Sequence, residues 1–187
     1  MAQGLGLKTD RLLLKVLDQR HANLVLEYFI RNQHFLKRWE PQREDFFYTE
    51  ERQKRLLISD LEGMRAGSMF KVWLLKEDDK SGKVIGSVSL NNIIRGCFLS
   101  CYLGYRLDKD EVNKGYMTEA LKPVIDFAFT DLGLHRIEAN IIPENAPSLR
   151  VVEKLGFYNE GLAKKYLKIN GKWRDHVHMV LLNDELE

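Results

Sequence analysis

The sequence is poor in cysteine, in long apolar runs and in charge of one sign. Only two cysteines occur in 187 residues, too few for a disulfide framework, and no His/Cys cluster has the spacing of a zinc site. Cys97 and Cys101 stand four apart in a segment that reads as a strand, so both are expected on one face as buried thiols without chemistry. No stretch reaches the ~20 apolar residues of a membrane span, and Met1 to Leu7 lacks the charged-then-apolar order of a signal peptide, which points to a cytoplasmic protein. Lys and Arg total 29 against 27 Asp and Glu, a formal charge of +2. The basic residues are interspersed with acids rather than drawn into a stripe that could follow phosphates, so nucleic acid is not expected as a direct substrate. Internal repeats and low-complexity tracts are also absent.

What is present is a foldable chain. Hydrophobic residues make up 44% and charged residues 30%, the balance of a globular protein, at a length that suits one domain over residues 1–187. Lys8 to Leu17 reads as a strand and Arg20 to Arg38 as an amphipathic helix. Thr49 to Arg65 reads as a second helix, with Thr49 as N-cap, Glu51 and Arg55 paired one turn apart, and Gly67 as its stop. Strands follow at Met69 to Lys76, Lys83 to Leu90 and Phe98 to Leu107, forming an antiparallel meander. Met117, Ala120, Leu121, Val124, Phe127 and Ala128 then recur at helical spacing, with Pro123 as an expected kink and Gly133 past the end. A strand at His135 to Ile142 comes next, then a short helix from Asn145 with Pro147 in its first turn and Gly156 at its close. Two strands, about Phe157 to Ile169 and Trp173 to Leu182, finish the chain around an Asn170-Gly171 turn.

The segment LGYRLDKDEVNKGYMTEAL carries the chemical signal. A strand feeding a glycine-containing loop into a helix presents backbone N–H groups at the positive end of the helix dipole, which suits a pyrophosphate. There is no Walker lysine pattern and no G-x-G-x-x-G, so nucleoside-triphosphate and Rossmann readings lose their support.

Read with Asn145-Ala-Pro-Ser148 and Leu155-Gly-Phe157, this loop makes the chain resemble the GNAT acetyltransferase superfamily, and within it the RimJ/RimL-like enzymes that acetylate ribosomal-protein N-termini. The likeness runs from TDRLLL through FLKRWEP, VIGSVSL, GYMTEAL and HRIEANIIPENAPSLRVVEKLGF to the last strands. It implies an α+β GNAT fold, a mixed, mostly antiparallel sheet of six to seven strands flanked by about four helices. It also implies acetyl-CoA as cofactor. The family's loop pattern, Gln/Arg-x-x-Gly-x-Gly/Ala, falls on Val112, Asn113, Lys114, Gly115, Tyr116 and Met117, where only the central Gly115 is kept. By resemblance, coenzyme A is bound by Asn113, Lys114, Gly115, Tyr116, Met117 and Thr118, by Asn145 and Ser148, and along the strand edge at Leu103, Tyr105 and Leu107. The amide near Tyr105 would polarise the thioester carbonyl.

Many members place a tyrosine acid four residues before the Gly-Phe pair; that position is Val152 here. The resemblance assigns protonation of the leaving thiolate to Ser148 instead. Where some relatives carry a glutamate base this chain has Tyr102, so Tyr102, Glu138 and His176 are the candidates for the base. A terminal α-amine, with a pKa near ~8, could also lose its proton through water alone. Trp39, Tyr166 and Trp173 resemble acceptor-groove positions.

The expected reaction is acetyl transfer from acetyl-CoA to the N-terminal amine of a protein, a ribosomal one by family implication, catalysed by a monomer or homodimer. A second reading keeps the chemistry and takes a small amine such as a polyamine, amino sugar or antibiotic, for which Glu40, Glu44, Asp45 and Glu50 could line an acidic cleft. A third is a coenzyme A-binding sensor or interaction module that has lost turnover.

Overall fold

Eight segments rich in Leu, Val, Ile and aromatic residues pair into one sheet in the computed structural model, which describes residues 6–186. In chain order they are β1 (Gly6–Lys8), β2 (Leu12–Lys15), β3 (Phe70–Lys76), β4 (Val84–Ile94), β5 (Ser100–Leu107), β6 (Arg136–Ile141), β7 (Tyr158–Ile169) and β8 (Lys172–Leu182). The helices are α1 (Ala22–Leu36), α2 (Glu50–Arg65), α3 (Tyr116–Thr130) and α4 (Ala146–Glu153). In space the strands run β1-β2-β3-β4-β5-β6-β8-β7, so β8 enters between β6 and β7. Neighbours are antiparallel except β5 and β6, which are parallel because α3 carries the chain back between them.

This is the expected α+β architecture with one strand more than the six to seven foreseen. Lys8 to Leu17 is not a single strand. Thr9 accepts the Leu12 N–H on its hydroxyl at 3.1 Å and donates its own N–H to the Leu12 carbonyl at 2.9 Å, which turns β1 back on β2. The cysteine expectation is also corrected in part: Cys101 is buried in β5, but Cys97 precedes the strand and is exposed.

Both faces of the central strands are covered, which explains the nearly continuous apolar run of β3. Val72 and Leu74 pack with Leu12, Leu14, Leu121 and Val124 under α3. Trp73 and Leu75 pack with Tyr28, Phe29 and Leu57 under α1 and α2. Thr49 caps α2, accepting the Arg52 N–H at 3.2 Å, and Glu51 pairs with Arg55. Asn170 and Gly171 both take left-handed φ values, 44° and 79°, the geometry of a tight hairpin turn.

One ion pair ties α1 to the end of β5. Asp108 is fully buried, and Arg31 reaches it with Nε at 2.7 Å while donating Nη2 to the Val84 carbonyl at 2.8 Å. Burial pushes the Asp108 carboxyl up, but the Asp110 N–H and Arg31 more than offset this and hold it below the ordinary carboxylate range. A carboxyl depressed in the folded state contributes stability above its unfolded pKa of ~3.9, and that contribution is lost as pH falls through the lower folded value. Arg31→Met leaves the buried carboxylate with only the more distant Lys83 ammonium, at 3.8 Å, and is expected to lower stability by about 3 kcal/mol at pH 7 in urea unfolding. The same measurement below about pH 4 should show a smaller penalty, because a protonated Asp108 no longer needs the cation.

Candidate active site

β5 and β6 pair over only three residues, Ser100 to Tyr102 against Arg136 to Glu138. Beyond that rung β5 stays with β4 and β6 stays with β8, so the strands part and the sheet opens in its middle. The Asp108 N–H donates to the Ile85 carbonyl at 2.7 Å. Even-numbered residues of β5 therefore direct their backbone groups to β4, and by the two-residue period Leu103, Tyr105 and Leu107 present theirs to the gap.

A cleft of about 410 Å³ runs through this gap. Leu103, Tyr105 and Leu107 line it from β5, and Asn113, Gly115, Tyr116, Met117 and Thr118 from the mouth of α3. Asn145 and Ser148 line it from α4, and Trp39 from the far side of the sheet. His176 and Glu40 line it as well, whereas Lys114, Tyr102, Tyr166 and Trp173 stand outside its wall. Lys114 gives its ammonium to Glu111 at 2.9 Å and its carbonyl to Arg11 at 3.1 Å. Tyr102 sits on the last paired rung, opposite Glu138. Tyr166 lies near Tyr102, and Trp173 is 60% exposed beside the hairpin tip.

The mouth of α3 is built by backbone geometry. Gly115 adopts φ 80°, a conformation that costs a side-chain-bearing residue, and Asn113 adopts φ 62°. Gly115 is the N-cap of α3, and no side chain caps its first turn, which leaves N–H groups at the positive end of the dipole. Arg11, in the β1–β2 turn, clamps the mouth: it bonds Glu119 through Nε at 2.7 Å and through its own N–H at 2.9 Å, and stacks on Tyr116. Glu111 is buried beneath the loop between Lys76 at 2.6 Å and Lys114.

Asn145 caps α4, accepting the Ser148 N–H at 3.3 Å. The Ser148 hydroxyl donates to the Tyr105 phenol at 2.7 Å, and that phenol donates to the Ser148 carbonyl at 2.9 Å. Burial pushes the Tyr105 pKa up to about 12, so it is a neutral phenol throughout the working range. Sequence reasoning missed this side chain, since nothing in the spacing joins residues 43 apart. It also missed Arg150 and Lys154, which line the cleft one turn apart on α4, although their i,i+4 spacing beside Ser148 was a usable signal.

Glu138 and His176 lie on the sheet face opposite α3. Glu138 is committed to Arg136 at 2.7 Å and His178 at 3.2 Å. His176, expected as a surface residue of an alternating strand, is instead 2% exposed and lines the cleft.

Tyr105→Phe removes both hydroxyl contacts with Ser148 and leaves a buried group less satisfied. A loss of about 1–2 kcal/mol in thermal or urea unfolding is expected, with the sheet intact by circular dichroism.

Residues 11–158 match the model of the acetyltransferase (GNAT) domain. The chain is 41% identical over 173 residues to the [ribosomal protein uS5]-alanine N-acetyltransferase of Escherichia coli, covering 91% of this chain and 87% of that protein. Among solved structures, the ribosomal-protein-S5-alanine acetyltransferase of Vibrio fischeri superposes with a TM-score of 0.92 at 37% identity, covering 98% of this chain and 99% of that one. Mycobacterium smegmatis RimJ in complex with CoA-disulfide gives 0.86 at 30% identity over 94% of this chain and 83% of its own. A strand gap beside an uncapped helix mouth, and relatives that cover nearly the whole chain, lead to one conclusion: the protein belongs to the GNAT acetyltransferase family, in its RimJ/RimL-like branch.

Proposed function

We propose that the protein transfers the acetyl group of acetyl-CoA to the N-terminal amine of a protein, with a ribosomal protein as acceptor. The parting of β5 and β6 carries the reading, because the free backbone groups of Leu103, Tyr105 and Leu107 form an edge to which an extended pantetheine arm can add as a strand would. The cleft residues fit the rest of the cofactor. The first-turn amides of α3, with the Thr118 hydroxyl, suit the pyrophosphate, while Arg150, Lys154 and Asn145 offer further polar contacts. When bound, acetyl-CoA supplies an activated thioester whose sulfur is a good leaving group.

The chain's own groups then have distinct duties. The Tyr105 N–H, facing the gap, stabilises negative charge developing on the carbonyl oxygen. Ser148 is the proton donor to the departing sulfur. Its hydroxyl proton is directed at Tyr105 in the resting site and turns to the sulfur for the transfer, the serine regaining a proton from water while the Tyr105 phenol stays neutral and bonded to the Ser148 carbonyl. Tyr102, one of the three base candidates, lies outside the cleft wall and does not compete with Ser148 for this step.

The E. coli relative is a ribosomal-protein-alanine N-acetyltransferase, which supports an N-terminal alanine as the acceptor group. Trp39, Tyr166 and Trp173 are assigned to its groove; the Asn170 N–H donates to the Glu40 carbonyl at 3.2 Å, which draws the β7–β8 hairpin against the Trp39 segment. The acidic lining that a polyamine would favour is largely compensated. Glu40 is paired with Arg43 at 2.6 Å and Arg106 at 3.3 Å, and Glu50 with Lys54 at 2.5 Å.

Coenzyme A at about a hundredfold excess over its dissociation constant should raise stability by ~2.7 kcal/mol, read as a rise in melting temperature. Gly115→Asp should abolish that rise. Labelled acetyl-CoA offered with an alanine-terminated peptide, ribosomal extract and a small-amine panel should mark protein N-termini; label confined to small amines would overturn the protein acceptor. Ser148→Ala is expected to lower kcat by about 100-fold or more with coenzyme affinity unchanged, the pattern of a contact made mainly in the transition state.

A further inference from the structure

The far end of the cleft holds His176 beside a buried hydrogen-bond acceptor that lacks a donor, Asn140 Oδ1, and a second such acceptor lies just behind the wall on β8. His176 Nδ1 lies 3.1 Å from the Arg174 carbonyl. A carbonyl oxygen only accepts, so this contact places the imidazole proton on Nδ1 and leaves a lone pair on Nε2. Asn140 lines the same cleft, and its Oδ1 is buried with no partner among the described residues. His178, across β8 from Asn140, repeats the pattern: Nδ1 faces Glu138 at 3.2 Å, and Nε2 is buried and unpartnered. The Tyr166 ring packs against both imidazoles, with centroids 5.6 Å and 4.8 Å away, and restrains their planes. Buried acceptors without donors are costly. A primary amine brings two or three N–H groups and would satisfy Asn140 Oδ1 and the lone pair on His176 Nε2, the two that face the cleft.

We propose that His176 Nε2 is the base that takes the proton from the acceptor's ammonium, while Asn140 Oδ1 accepts a second N–H and holds the nitrogen at the gap. This rests on the acetyl-transfer reading above. The step is a proton transfer: the ammonium N–H bond breaks, its electron pair stays on nitrogen, and the proton becomes Nε2–H of an imidazolium that passes it to solvent. The neutral amine left behind is the nucleophile that acyl transfer requires.

The surroundings keep His176 neutral in the resting site. Burial lowers its pKa below the ordinary histidine value; the Arg174 carbonyl and Asp175 oppose this, and His178 and the Arg174 cation reinforce it. From β7 the facing group is Tyr166; from β6 they are Asn140 and, behind His178, Glu138. Across the cleft lies Glu40, held by Arg43 and Arg106.

His176→Asn is the informative variant, because the asparagine amide can occupy the Nδ1 position and keep the Arg174 contact while Nε2 is lost. The acceptor used is whichever amine the wild-type enzyme acetylates. The variant should retain the coenzyme A-induced rise in melting temperature and lose about 100-fold or more in kcat at pH 7. Its kcat should climb tenfold per pH unit toward the amine pKa of ~8, whereas the wild type should be flat down to an acid limb below about pH 6.5. A second readout needs no turnover: ¹⁵N-histidine NMR of the wild-type protein with coenzyme A should show His176 neutral and protonated on Nδ1 at pH 7. A wild-type rate and pH profile in His176→Asn overturns the proposal, and so does an Nε2–H tautomer or an imidazolium at pH 7. If the variant loses its coenzyme A response, it has lost its fold and the NMR result decides. A wild-type enzyme that acetylates no amine overturns the underlying reading before any variant is made.

Discussion

The three-residue pairing of β5 with β6 is the constraint on which the rest of the site depends. A sheet interior normally satisfies every backbone group, and strands that part forfeit those hydrogen bonds. The separation is imposed from both sides. β5 is held along its length by β4, through to Gly86 opposite Leu107, while β6 is held by β8, through to Val177 opposite Ile141. Neither strand can close the gap without breaking its other ladder. The gap also joins the two faces of the sheet, so the helix mouth on one side and His176 on the other line a single cleft.

Ionic contacts on buried and half-buried carboxylates then fix what surrounds the gap. Asp108 with Arg31, Glu111 with Lys76 and Lys114, and Glu119 with Arg11 all converge on the stretch from the end of β5 to the first turn of α3. Their partners come from α1, β3 and the β1–β2 turn, so a loop with little apolar burial of its own is anchored to three separate elements. Carboxylates with so little solvent are strongly penalised if left alone, and this makes the loop conformation specific rather than merely stable. A helix mouth that must present its amides to an anion gains from such rigidity, since less ordering remains to be done on binding.

Much of this was legible in the sequence wherever one residue's chemistry decides a local conformation. Thr49 and Asn145 announce helix starts, Gly67, Gly115 and Gly156 take the left-handed conformations that their positions suggest, and Asn170-Gly171 makes its turn. Motif order placed the loop and Ser148 on one cleft. What escaped depends on tertiary context. The Thr9 turn is hidden inside an apolar run. The Tyr105 phenol meets Ser148 only because β5 and α4 are brought together. The burial of His176 was obscured because β7 departs from strict alternation: the register shifts between Ala163 and Leu167, Lys165 takes φ 51° and donates its N–H to Asp175, and Tyr166 is turned over the histidines.

The insertion of β8 between β6 and β7 bears on how the molecule comes into being. A chain emerging from the ribosome presents β6 and β7 before the strand that must lie between them, so the open edge of β6 waits for β8 to arrive. The contacts of Arg11 with Lys114 and Glu119 span more than a hundred residues as well. The β1–β2 turn and β8 are thus both needed before the cleft exists, and vectorial synthesis cannot assemble it piecemeal. Contacts of such sequence separation favour slow folding, and they make the arrival of β8 beside β6, rather than formation of any earlier element, the event that creates a working site.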